Sequence, residues 1–96
     1  MPTSETEGFL GKIIKFTFRS REILNAVVEE GDSALLQAAL GDIAKARGMS
    51  DIAKCAGVGR ESLYKSLSPS GNPSFQTILK VIASLGLKME FVPAAK

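Results

Sequence analysis

The stretch DIAKCAGVGRESLYKSL, residues 51–67, decides how the chain is read. Two short amphipathic segments, 51–56 and 60–67, flank Gly57-Val58-Gly59. The glycines interrupt the helical period, so the spacing predicts two helices joined by a turn of about three residues. Ala53 is small where the helices must cross closely. Gly57 falls where the turn needs a positive φ, which glycine adopts without strain. Ile52, Val58 and Leu63 are apolar and suit the wedge between the helices. Together these positions make the pattern of a helix-turn-helix unit, whose second helix enters the major groove of DNA. With Leu63 and Leu67 inward, Arg60, Glu61, Tyr64 and Lys65 are left outside. Arginine reads guanine in bidentate fashion, and glutamate accepts from cytosine N4. Tyr64 and Lys65 could touch phosphate or base. The plainer reading of the same four is a solvated face with Arg60 stacked on Tyr64.

The flanks carry capping and stop signals. Ser20 is read as the N-cap of a helix over about 21–30, with Ile23, Leu24, Val27 and Val28 on one face and Gly31 as its stop. Asp32 caps the next helix, whose Leu36, Ala39, Leu40 and Ile43 follow the amphipathic spacing as far as Arg47, before Gly48 ends it. Ser50 is the expected cap of the segment 51–56. Residues 68–74, SPSGNPS, form a loop by composition. Ser74 caps a fifth helix with a stripe of Phe75, Ile78, Leu79, Ile82 and Leu85, closed by Gly86. The last element, LKMEFV at 87–92, alternates Leu87, Met89 and Phe91 against Lys88, Glu90 and Val92, the period of a strand. A lone strand needs a partner, so Leu87, Met89 and Phe91 are candidates for pairing with residues 15–18, with a second subunit or with another protein's sheet. Residues 9–18, FLGKIIKFTF, fit strand or helix by period. The expected organisation is a partly disordered N-terminal extension, 1–19, and one domain over 20–92. The expected fold class is all-α: five helices built around the helix-turn-helix unit, with a short C-terminal strand.

Composition narrows the chemistry. The 96 residues suit one small domain, and 45% hydrophobic with 23% charged residues is globular rather than disordered. The chain has no His, which removes His-based acid–base and nucleophile systems and His metal ligands. Its single cysteine, Cys55, makes neither an internal disulfide nor a Cys-rich zinc site, and is read as a small, partly buried hydrophobe. An enzyme, a cofactor and a metal are therefore not expected. No apolar run approaches a membrane span and no signal peptide is evident, so a cytoplasmic protein is expected. Ser62 and Lys65 match S-x-x-K, and Gly57-Val58-Gly59 is a lone G-x-G. Neither has the surrounding chain that its chemistry requires.

The net charge is only +2, but it is unevenly placed. From Lys54 to Lys80 there are four cations and one acid, whereas residues 1–31 hold four cations and five acids. The basic surplus therefore accompanies the paired helices. Helix N-termini at Ser50 and Ser74 add backbone N–H groups that could meet phosphate, with capping as the plainer role.

Residues 32–92 resemble addiction-module antidote proteins, a HigA-like branch of the Xre (phage Cro/C1 repressor-like) helix-turn-helix superfamily. The resemblance is carried by GDIAKARGMS (41–50), RESLYKSLSPSGNPSF (60–75) and LKVIASLGLK (79–88). It implies a cytoplasmic, dimeric DNA-binding regulator that binds a small toxin of the RelE/ParE type and represses the shared operon. It also implies DNA contact at Arg60, Glu61, Ser62, Tyr64 and Lys65. Gly59 departs from the serine common at that position, and residues 1–20 do not resemble the family's usual N-terminus. Two other functions fit the same residues: a toxin-neutralising module that does not read DNA, and a stand-alone phage-type repressor.

Overall fold

The computed structural model describes residues 4–94, with the backbone alone at 4–7 and 9. Among the described residues there are five helices and no strand: α1 (Ser4–Glu30), α2 (Ser33–Arg47), α3 (Met49–Ala56), α4 (Arg60–Leu67) and α5 (Phe75–Ser84). Helix α3 is the hub, packed against α2, α4 and α5, while α1 lies along α2. The four largest fully buried side chains come one from each of α2 to α5: Leu40, Ile52, Leu63 and Val81. Leu24, Ile43, Ala44, Met49, Ala53, Leu67 and Leu85 complete the cluster around them. The domain is a slab, 47 × 38 × 17 Å.

Local chemistry accounts for most helix ends. Asp32 Oδ1 accepts from the Ala34 and Leu35 N–H groups at 3.0 and 3.2 Å, which starts α2. Ser74 Oγ accepts from the Thr77 N–H at 3.1 Å, which starts α5. Gly57 ends α3 in the left-handed conformation, φ 70° and ψ 30°, and the Val58 N–H donates back to the Ala53 carbonyl at 3.0 Å. Gly59, extended at φ −69°, precedes α4 without a side-chain cap.

Several expectations are corrected. Ser20 does not cap a helix: it is buried in the middle of α1, which runs from Ser4 and so includes residues 4–19 of the expected N-terminal extension. Residues 1–3 of that extension lie outside the described residues. Gly8 and Gly11 lower helix propensity without breaking the run. The Thr17 hydroxyl is absorbed by the Ile13 carbonyl one turn back, at 3.0 Å. The alternation at 15–18 is thus helical: Phe16 packs on the core and Phe18 points away. Ser50 does not cap α3 either, because Gly48 holds that position and the helix begins at Met49, whose side chain plugs the core. On α5 the buried face centres on Val81 and Leu85, leaving Phe75 and Leu79 exposed. Cys55 is exposed rather than partly buried.

The strand expected at 87–92 is absent. A strand needs a ladder partner, and residues 15–18, one candidate, are committed to α1. Leu87 instead packs half-buried against the core, its N–H donating to the Ile82 carbonyl at 3.2 Å, while Met89 and Phe91 are exposed.

The turn gives a two-sided prediction. A Cβ at Gly57 would meet nothing within 4 Å, so Gly57→Ala isolates backbone strain. It should lower unfolding stability by about 1–2 kcal/mol. At Gly59 the backbone is ordinary and a Cβ would lie 3.6 Å from Ser62 Oγ, so a serine has room. Gly59→Ser should raise stability by roughly 0.5 kcal/mol. Urea unfolding of both variants, with unchanged slope, is the measurement.

Candidate nucleic-acid interface

The face under consideration is the outer side of α4. Because Leu63 and Leu67 are driven into the core, Arg60, Glu61, Ser62, Tyr64 and Lys65 all lie exposed on one short helix. Tyr64 is the pivot. The Arg60 guanidinium carbon lies 5.5 Å from the centre of its ring, and Lys45 Nζ reaches the same ring from α2 at 5.8 Å. Both distances are within cation–π range, so the ring gathers two cations from two helices. The cation–π contact of Arg60 with Tyr64 and the exposure of both are present together.

On the other flank of α4, Ser62, Lys65, Ser66, Ser70, Gly71 and Asn72 line a shallow recess of about 400 Å³. Hydroxyls, an amide and an ammonium around one recess can donate hydrogen bonds to anionic oxygens. Ser50 is exposed in the first turn of α3, and Ser74 is occupied with capping, its hydroxyl also 3.0 Å from that of Thr77. Arg47 is drawn aside into an exposed pair with Asp51 at 3.9 Å. Cys55 shares a small surface recess with Lys80, Ala83 and Ser84 on the α3–α5 side.

What holds α4 in place was not apparent from the sequence. Gln37, on α2, donates through Nε2 to the carbonyls of Ser68 (2.6 Å), Gly71 (3.0 Å) and Ser66 (3.3 Å). A single half-buried amide thereby ties α2 to the carboxyl end of α4 and to the loop that follows. The loop itself folds so closely over α4 that a Cβ at Gly71 would collide with the carbonyls of Lys65 and Ser66. On the α2 side, a Cβ at Gly41 would stand 3.2 Å from the Leu67 carbonyl oxygen. Gln37 and Lys45 are both missing from the sequence-based site. Their partners lie far along the chain or on another helix, where local periodicity carries no signal.

A separate, more apolar groove of about 500 Å³ runs between α1 and α2, with Phe16, Ile23 and Leu35 on its walls and Arg19 and Asp42 among its polar lining residues. Among the described residues no helix is long and apolar enough to cross a membrane.

The architecture is that of a small all-helical domain whose shortest helices present a polar, largely cationic face. A family model described as "Probable addiction module antidote protein" matches residues 18–93, and the chain belongs to that family. Membership supports a toxin–antitoxin role and implies a toxin partner. An uncharacterized protein of Haemophilus influenzae is 51% identical over 67 residues, which are 70% of this chain and 69% of the relative. No solved structure matches the chain.

The Gln37 clamp yields a test of how α4 is held. Gln37→Leu keeps much of the side-chain volume and removes the donor to three carbonyls. Part of the site is open to water, so the loss should be about 1–2 kcal/mol rather than the sum of three bonds. Amide exchange should speed up in residues 65–72 first; protection unchanged there would show that the clamp is idle.

Proposed function

We propose that this chain is the antitoxin of a toxin–antitoxin pair and a sequence-specific DNA-binding repressor of its own operon, acting as a homodimer. In this reading α3–turn–α4 is a helix-turn-helix unit of the Xre, lambda-repressor-like kind, and the toxin is of the RelE/ParE type. It is a binding protein of the cytoplasm, with no catalytic step and no cofactor. The observation that carries the reading is the face of α4. Five polar side chains are exposed on a helix anchored by Leu63 and Leu67, with Lys45 and Arg60 gathered on Tyr64.

Each residue then has a role. Arg60 and Glu61 face base edges; Ser62, Tyr64 and Lys65 meet bases or backbone. The recess between Lys65 and Asn72 receives a phosphate. The backbone N–H groups at the starts of α3 and α5, beside Ser50 and Ser74, are second-rank phosphate donors. Stacking on Tyr64 pre-orients the Arg60 guanidinium, which lowers the ordering cost of a bidentate contact. Two copies would read two half-sites about 34 Å apart.

A second reading is favoured by one observation, the low net charge of +2. In it the chain neutralises a toxin and the α4 face makes no DNA contact. Gel shifts on the DNA upstream of the gene separate the two. Repressor function predicts a shift at low salt that weakens steeply as salt rises, with a slope of about −0.9 per phosphate contact. No shift at low salt would leave the second reading standing. Arg60→Ala should cost ~1–3 kcal/mol of operator binding and relax the base preference, whereas Lys80→Ala should weaken all sequences alike. An equal loss on every sequence for Arg60→Ala would remove its reading role.

A further inference from the structure

Helix α1 has more apolar surface than its own chain covers. One face meets the core through Leu24, with Phe16 packed alongside. Beside that face runs a second stripe, Leu10, Ile14, Phe18 and Val28, which is 50%, 56%, 56% and 58% exposed. At 100° per residue these four lie within an arc of about 80°, with Arg21 and Asn25 between them. From Ile14 onward the positions repeat at alternating steps of four and three residues, the spacing of a helix–helix seam. Leu10 and Ile14 precede the span matched by the family model.

The charges identify the occupant. In the described part of α1 every charged residue from Lys12 to Arg21 is basic: Lys12, Lys15, Arg19 and Arg21. Every one after it, Glu22, Glu29 and Glu30, is acidic. Glu5 and Glu7 lie ahead of the seam. A second α1 laid antiparallel sets the basic half of one copy against the acidic half of the other. A parallel arrangement sets like against like.

We propose that α1 pairs two copies of this chain antiparallel through the stripe Leu10–Ile14–Phe18–Val28. Leu10 then meets the partner's Val28, Ile14 meets the partner's Asn25, and Phe18 lies under the partner's Arg21, a cation–π contact repeated across the two-fold axis. Lys15, on the flank of the seam, stands beside the partner's Glu22. The contact runs along about 28 Å of each helix. The proposal supplies the surface for the homodimer in the reading above, but its readout is mass and owes nothing to DNA.

Sedimentation equilibrium of the full chain at micromolar to tens of micromolar concentration tests it. The wild type should sediment at twice its 10.2 kDa chain mass. Phe18→Glu should give monomer with an unchanged helical circular dichroism spectrum, since the side chain is exposed in the single chain. Lys15→Glu and Glu22→Lys should each weaken dimerisation about tenfold, because each turns two attractive contacts into repulsions. The double variant Lys15→Glu/Glu22→Lys, and an equimolar mixture of the two single variants, should both dimerise near wild-type strength. The mixture is decisive: within one chain these residues are two turns apart, so only contact between copies can rescue it. A wild type that stays monomeric, a dimer indifferent to Phe18→Glu, or a mixture no stronger than its components would each overturn the proposal. The first would assign the stripe to the chain's own tail or to another protein, and the second would place the dimer elsewhere.

Discussion

Everything in this domain depends on one small apolar junction, where Leu40, Ile52, Leu63 and Val81 come together from four different helices. None of these helices exceeds fifteen residues, and two have only eight. Helices of that length are marginal in water by themselves. Their stability comes from burying one face each in a shared cluster, so the helices and the core form together or not at all. The junction also fixes orientation. Once Leu63 and Leu67 are committed inward, the period of the helix turns Tyr64 and Lys65 outward, while Arg60, on the same side as the two leucines, is exposed because it opens the helix. The polar face of α4 is thus a consequence of core packing, and any change that rotates α4 about Leu63 moves all the exposed groups at once.

The backbone around α4 is pinned at three places by the lack of a side chain. Gly57 takes up a left-handed turn, Gly41 lets α2 approach the end of α4, and Gly71 lets the loop close over the same end. Gln37 then donates to the carbonyls of Ser66, Ser68 and Gly71, which this closeness brings within its reach. The combination favours rigidity over adaptability. A surface built this way loses little conformational freedom when it engages a partner, so less of its contact energy is consumed by ordering. The exposed ion pair between Arg47 and Asp51 adds little by comparison, being solvated on both sides.

What the sequence revealed follows the range of the forces involved. The bounds of α2 and α4, the caps at Asp32 and Ser74 and the left-handed Gly57 were all legible, because each is decided within about four residues. Ser20 and Ser50 look like caps on the same local evidence, but they failed. A serine is tolerated inside a helix, and the real start was set elsewhere: by continuous helix as far back as Ser4 in one case, by Met49 entering the core in the other. On α5 the stripe from Phe75 to Leu85 was drawn slightly off the buried line through Val81, since that helix is apolar over most of its surface. In the polar face, the local sequence pattern places Arg60, Glu61, Tyr64 and Lys65 outside, and the family resemblance adds Ser62. Lys45 and Gln37 could not be found that way, because each acts on residues brought near only by the fold.

The C-terminal segment shows the same limit. LKMEFV has the alternation of a strand, but alternation states only which side chains could share a face. Forming a strand requires a hydrogen-bonding edge, and the bundle has none to offer, since its helices satisfy their own backbone groups. Leu87 packs against the core and the residues after it are left exposed. Gly86, at φ 80°, starts this departure beside Thr17 of α1. The uncovered apolar side chains of the tail therefore leave the body close to α1, the helix with the longest uncovered apolar stripe. The longest exposed apolar stripe thus lies on α1, whereas Lys45 of α2 and Arg60 of α4 meet at Tyr64. Desolvation strengthens an apolar contact but penalises unpaired charge, so the exposed stripe of α1 and the cations gathered on Tyr64 suit different kinds of contact.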